Sequence, residues 1–295
     1  MPTGAQMMAG VAEATEIPID INAIERNPDS MSIYEYKPFL YFMVAVAAVV
    51  GAVMGSFLNC AAWRFAHNES FLKGRSHCPT CGHVLGPLEL IPVFSWVIQR
   101  GRCHSCGEKI SIRYPLTELV YGLITVLCLL RFDFTVLCLR NYIFLCCLFC
   151  LSLVDLESFI IPDECHIISV AAWVIALPFT FTGTRDTVLH ILAGIVFGGG
   201  ILLVSIILDK ILGRESLGGG DVKLLAVSGL YLGMVGTLFA LIFACVFGLI
   251  LYMTKRGKEG AGREFPFGPS ISMGVALMLL FGEPLVQWYL GLLGI

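Results

Sequence analysis

Charge is what this chain has least of. Of its 295 residues, 14% are Asp, Glu, Lys or Arg while 57% are hydrophobic, and the mean hydropathy is +0.83. A soluble domain carries about 25% charged residues, so a soluble globular fold is excluded. No basic stripe with interleaved aromatics occurs, which removes nucleic acid from the candidate partners. Neither His-Glu-x-x-His nor Gly-x-Ser-x-Gly is present, so zinc-dependent and serine-based hydrolysis lack their residues. The start of the chain has no basic-then-apolar opening and does not read as a cleaved signal peptide. Residues 1–37 hold Glu13, Glu16, Asp20, Glu25, Asp29 and Glu35 against Arg26 and Lys37, and read as an acidic, disordered tail.

What is there instead is a series of apolar runs. Stretches at 39–63, 115–131, 136–160, 164–182, 187–211, 221–235, 235–254 and 268–292 approach the roughly 20 residues that span a bilayer. In lipid the backbone must satisfy itself, so these are helices. The expected fold class is an all-α polytopic membrane protein with about eight transmembrane helices and a small cytoplasmic zinc-ribbon-like domain. The two runs around 221–254 are short and meet at Gly233–Gly236, which leaves seven or nine crossings open. Glycines four apart, Gly194/Gly198 and Gly229/Gly233, either admit close helix packing or recur by chance in a glycine-rich chain.

Basic residues orient the helices. Segment 64–114 carries Arg64, Lys73, Arg75, Arg100, Arg102, Lys109 and Arg113. Lys210, Arg214 and Lys223 fall in 209–223, and Lys255, Arg256, Lys258 and Arg263 in 255–263. The alternate loops hold Arg131, Arg140 and Arg185. The positive-inside rule therefore puts the first three segments in the cytoplasm.

Two aspartates stand out against this background. Asp155 lies in Ser152-Leu-Val-Asp155-Leu-Glu157 and Asp221 in Gly218-Gly-Gly-Asp221-Val-Lys223, each at the end of an apolar run. An ionisable side chain there is expensive and marks a functional site by default. With the topology above both fall near the cytoplasmic surface, where two close carboxylates would share one proton and act as an acid/base pair. Gly218, Gly219 and Gly220 either let an extended substrate approach or make a plain interhelical turn. Lys223 reads as a lipid or dyad contact, or as a snorkelling lysine. Asp163, after Pro162, is expected to cap a helix. Glu157 points away from Asp155 towards the interface, Glu118 seeks a polar partner such as Arg64 or Arg113, and Asp209 is a boundary charge.

The hydrophilic segment holds Cys78-Pro-Thr-Cys81-Gly82 and Cys103-His-Ser-Cys106-Gly107. Two such knuckles make a zinc-ribbon pattern in which four thiolates complete a tetrahedron. Reduced cytoplasmic thiols favour structural zinc over a dithiol redox site. His77, His83 and His104 read as surface histidines rather than ligands. Cysteines 60, 128, 138, 146, 147, 150, 165 and 245 are assigned packing roles, with Cys60 set apart because it adjoins a motif.

These residues together resemble the type IV prepilin peptidases. Gly55-Ser-Phe-Leu-Asn59 with Arg64, the tetracysteine segment, Pro92-Val-Phe-Ser-Trp96, Arg100-Gly-Arg-Cys103, Arg113-Tyr-Pro-Leu-Thr-Glu118, Asp155 with Ile161-Pro-Asp163, Gly218-x-Gly-Asp221-x-Lys223 and Phe267-Gly-Pro269 follow the family's order over about 51–290. One departure is Cys60-Ala-Ala-Trp63 in place of a more usual aliphatic run. The resemblance implies an intramembrane aspartyl protease of the bacterial inner membrane. It would remove leaders from type IV prepilins and type II secretion pseudopilins at the cytoplasmic face, with Asp155 and Asp221 catalytic. The tetracysteine segment implies N-methylation with S-adenosylmethionine, at binding residues the sequence does not reveal. The implied division is tail 1–37, first helix 38–63, cytoplasmic tetracysteine domain 64–114 with Cys78, Cys81, Cys103 and Cys106 on zinc, and protease domain 115–295. An ion-coupled transporter using the two aspartates is the alternative, though no internal repeat is seen. A zinc-ribbon scaffold without chemistry is a third reading.

Overall fold

The computed structural model describes residues 37–67, 69, 74–213, 217–255 and 266–293. The acidic tail, Lys73, Arg214, Arg256, Lys258 and Arg263 lie outside the described residues. The chain falls into two units, Met1–Phe42 and Met43–Ile295. Of the first, only 37–42 are described, as helix.

Helices dominate, and no β-strand longer than an isolated bridge occurs among the described residues. In chain order they are α1 (Lys37–Ala66), α2 (Phe94–Ile98), α3 (Arg113–Phe132), α4 (Val136–Ser158), α5 (Asp163–Thr180), α6 (Thr184–Leu212), α7 (Gly219–Lys255) and α8 (Gly268–Leu293). All but the five-residue α2 are long and apolar enough to cross a membrane, seven in number. The protein is a multi-pass membrane protein. Local signals set several boundaries. Thr135 caps α4 by accepting the Cys138 N–H at 3.1 Å. Phe159, left-handed at φ 57°, ends α4 with its N–H on the Asp155 carbonyl.

α7 contains the sixth and seventh apolar runs. At Gly233 the backbone takes φ 66°, ψ −170°, which only glycine adopts readily. A straight helix would hold residues 220 and 248 about 42 Å apart. Yet a Cβ on Gly220 would lie 2.7 Å from Ile161, one on Gly268 3.1 Å from the same side chain, and one on Gly248 3.1 Å from Phe267. The helix therefore reverses at Gly233, and seven helices give eight legs. The first leg is only 14 residues long, about 21 Å, which is why the sequence left its count open.

The core lies between α4, α5, α7 and α8. Phe144, Leu148, Leu151, Leu224, Leu225, Ile271 and Val275 are fully or almost fully buried there. Phe144 stacks on Tyr231 at 3.9 Å, and the Tyr231 hydroxyl donates to the Ser169 carbonyl at 2.8 Å. Burying that phenol without a partner would be costly. The spaced glycines meet face to face: a Cβ on Gly229 would lie 2.5 Å from Gly194 N, and one on Gly198 2.7 Å from Ala226. Gly233 belongs to the reversal instead. The outer faces carry exposed Val188, Ile195, Ile207 and Leu249, as lipid requires. Cys128, Cys147 and Cys165 are buried as expected, whereas Cys245 is exposed and fills no packing role.

Candidate active site

Asp155 sits in the last turn of α4 and Asp221 in the first turn of α7, and both are at least nine-tenths buried. Ile161, in the turn after α4, packs against Gly220, the neighbour of Asp221, and against Gly268, at the start of α8. The two carboxylates are near enough for their charges to interact. Asp155 Oδ2 accepts the Gly268 N–H at 3.0 Å, which fixes its side chain from the start of α8. Asp221 Oδ1 is shielded from solvent and bonds to no described group. An anionic oxygen left in that state wants a proton, a water or a substrate atom. The free N–H groups and dipole of the α7 terminus favour negative charge at the same point.

The acids that flank the pair take partners the sequence did not reveal. Asp163 was expected to cap α5, but Pro162 occupies that position. Asp163 instead binds Lys223 through both oxygens, at 2.7 and 2.9 Å, so Lys223 is its ion-pair partner. Glu157 pairs with Arg113 at 2.7 Å and ties α4 to α3. Glu118 therefore does not take Arg113; it accepts the Val93 N–H at 2.7 Å from inside α3. Val93 has φ 62°, ψ −54°, and the Phe94 N–H reaches the Pro92 carbonyl at 2.6 Å, the strained hand of γ-turn. Gly268, within the Phe267-Gly-Pro269 motif, holds Asp155 from 113 positions away, a contact that no local pattern announces.

The tetracysteine segment forms a lobe of two matching knuckles. Cys78 N–H bonds to His83 O and Gly82 N–H to Cys78 O, both at 2.9 Å. Cys103 N–H bonds to Glu108 O at 2.8 Å and Gly107 N–H to Cys103 O at 3.0 Å. Gly82 (φ 71°) and Gly107 (φ 74°) close the turns in the left-handed region that glycine favours. The four Sγ atoms lie within 4.8 Å of one another, and Cys78 and Cys106 are 3.9 Å apart. Zn–S bonds of about 2.3 Å put tetrahedral thiolates about 3.8 Å apart, so the donor set fits a metal ion. The N–H groups of Cys81 and Thr80 hold the Cys78 thiol down to about 6. His83 binds Glu89 at 3.0 Å and His77 faces the Arg75 carbonyl, and neither joins the four-cysteine group.

Between this lobe and the adjoining ends of α1 and α3 lies a cavity of about 380 Å³, lined by Asn59, Trp63, Arg64, Glu89, Trp96 and Glu118 among others. Glu89 Oε2 accepts the Gly86 N–H at 2.8 Å as well as the His83 bond, and these two contacts hold its carboxyl below the usual range.

Residues 49–132 match the model of the bacterial peptidase A24 N-terminal domain, and residues 142–253 that of the type IV leader peptidase family. A prepilin leader peptidase/N-methyltransferase of Myxococcus xanthus is 34% identical over 73% of this chain and 65% of its own length, just under two thirds. Another of that name from Burkholderia pseudomallei is 32% identical over 82% of this chain and 86% of its own. A type 4 prepilin-like proteins leader peptide-processing enzyme of Escherichia coli O78:H11 is 34% identical over 79% and 91%. No solved structure matches the chain significantly. With two relatives above 30% identity covered over 86% and 91% of their own length, and both family models matched in order, the chain belongs to the type IV leader peptidase family.

Proposed function

We propose that this protein is a membrane-embedded aspartic endopeptidase that removes the leader of type IV prepilins and type II secretion pseudopilins, and that it N-methylates the new amino terminus. The observation that supports the reading is that two buried carboxylates, Asp155 at the end of α4 and Asp221 at the start of α7, lie close enough for their charges to interact. None of the relatives named above is a transporter, and nothing in this geometry favours that alternative.

The chemistry needs one ionised and one protonated carboxyl. The ionised member takes a proton from a water between them; the protonated one donates to the scissile carbonyl oxygen as the tetrahedral intermediate forms. On collapse the proton taken from water passes to the leaving amine, and the carbonyl-oxygen proton goes back to the carboxyl that gave it. Each transfer contributes roughly 10²- to 10⁴-fold. The Gly268 N–H holds Asp155 while the carboxyls exchange roles.

The positive-inside count supports a cytoplasmic position for the lobe, the Asp pair and segment 255–263, in a bacterial inner membrane. Zinc on Cys78, Cys81, Cys103 and Cys106 would be structural, since four protein ligands leave no open position. The domain division follows: a tail, α1, a lobe over 64–114 associated with methylation, and a protease body over 115–295. S-adenosylmethionine, when bound, supplies an electrophilic methyl group.

One experiment scores both activities: incubation of the purified protein with a prepilin and labelled methyl donor, read by mass spectrometry. Loss of the leader with a mass gain of one methyl on the product is expected. An uncut prepilin would overturn the protease reading, and a cut but unmethylated one the transferase reading.

A further inference from the structure

We propose that the cavity between the tetracysteine lobe and the ends of α1 and α3 is the methyl-donor site, with Glu89 facing the donor's cationic centre. The inference rests on the methyltransferase half of the reading above and assigns it residues.

Size comes first. At about 380 Å³ the cavity lies within the range of small-molecule sites. Its chemistry suits an adenosyl sulfonium, which combines a flat base, a permanent cation and an amino-acid end. Trp63 and Tyr114 on the wall offer aromatic faces for the base or the cation. Arg64, a buried wall residue on α1 that also donates to the Gly74 carbonyl, brings the positive charge that suits the carboxylate.

Glu89 supplies the decisive detail. One of its oxygens is fully used by Gly86 and His83, while Oε1 is shielded from solvent and has no partner among the described residues. A shielded carboxylate oxygen in this condition is a receptor for a cation or a donor group. The Glu118–Val93 bond holds a strained turn beside the same cavity, and such strain gathers at ligand sites.

Position completes the case. Ala62, next to Trp63, packs with Val154, next to Asp155. Arg113, next to Tyr114, pairs with Glu157, two residues beyond Asp155. A peptide cut at the aspartates thus leaves its new amino terminus one packing layer from the cavity wall.

The test uses the full chain in detergent and the cavity thiol Cys60, with exposed Cys245 on α7 as the internal reference. Maleimide labelling is followed by peptide mass spectrometry with and without S-adenosylmethionine or S-adenosylhomocysteine. Either compound is expected to slow Cys60 labelling several-fold and to leave Cys245 unaffected. Glu89→Gln is expected to raise the donor KM about tenfold or more, the worth of a hydrogen bond to a charged group. Methyl transfer at full rate with Cys60 unprotected overturns the assignment and leaves the transferase reading standing. Protection by uncut prepilin but not by the donor does the same. A wild-type chain that neither binds S-adenosylhomocysteine nor transfers methyl overturns both.

Discussion

The Gly268 N–H donates to Asp155 Oδ2 at 3.0 Å, joining the start of α8 to the end of α4 across 113 positions. A Cβ at Gly268 would stand 2.7 Å from that same oxygen. One residue thus both grips the carboxylate and must remain without a side chain.

Gly268→Ala is accordingly expected to push Asp155 out of place and to lower leader removal by about 10²-fold, the scale of a misplaced reacting group. Gly199→Ala, on α6 with no atom within 4 Å of its added carbon, is the matched control. Cleavage kinetics on both variants check this; equal rates would refute the positioning role.

Asp155→Asn and Asp221→Asn are each expected to reduce cleavage by at least about 10²- to 10⁴-fold, and the double variant little further, because the pair acts as a unit. Methylation of a pre-cut peptide should survive in all three. Multiplicative losses in the double variant would argue against a shared proton.

The lobe should hold one equivalent of zinc. Cys103→Ser is expected to abolish it, and Gly82→Ala to weaken it, since forcing alanine to φ 71° costs about 1 to 2 kcal/mol. Metal analysis of the purified protein decides; a metal-free lobe with two disulfides would sink the assignment. Methylation should fail before proteolysis does.

Glu118→Ala removes the acceptor of the Val93 N–H and leaves a part-buried donor unsatisfied, a loss of about 1 to 3 kcal/mol. Faster hydrogen exchange is expected at Val93 and through α2, with Glu118→Gln largely restoring protection because its amide oxygen can still accept. Unchanged exchange in Glu118→Ala would show that the turn is held by other contacts.

Much of the architecture was legible in the chain. Apolar runs near bilayer length announced the helices, and the two Cys-x-x-Cys-Gly knuckles announced the lobe, because both signals are local. The partners of charged residues were not. Lys223 with Asp163, Arg113 with Glu157 and Glu118 with Val93 join positions 60, 44 and 25 apart. Proximity alone chooses among such candidates, and a linear pattern carries no distances. Asp163 shows the same limit: Pro162 before it suggested a cap, but the nearby ammonium group drew its carboxylate away.

The sequence by itself settled the solvent and the kind of structure, since a chain this poor in charge must bury its backbone hydrogen bonds in helices. It also singled out Asp155 and Asp221 as carboxylates too expensive to be idle. Only the folded arrangement decided that the helix from Gly219 turns back at Gly233, that Ile161 packs against both Gly220 and Gly268, and that a backbone amide from the last helix grips Asp155. Those outcomes depend on close approach between distant segments, which side-chain volume and missing side chains permit but no stretch of sequence spells out.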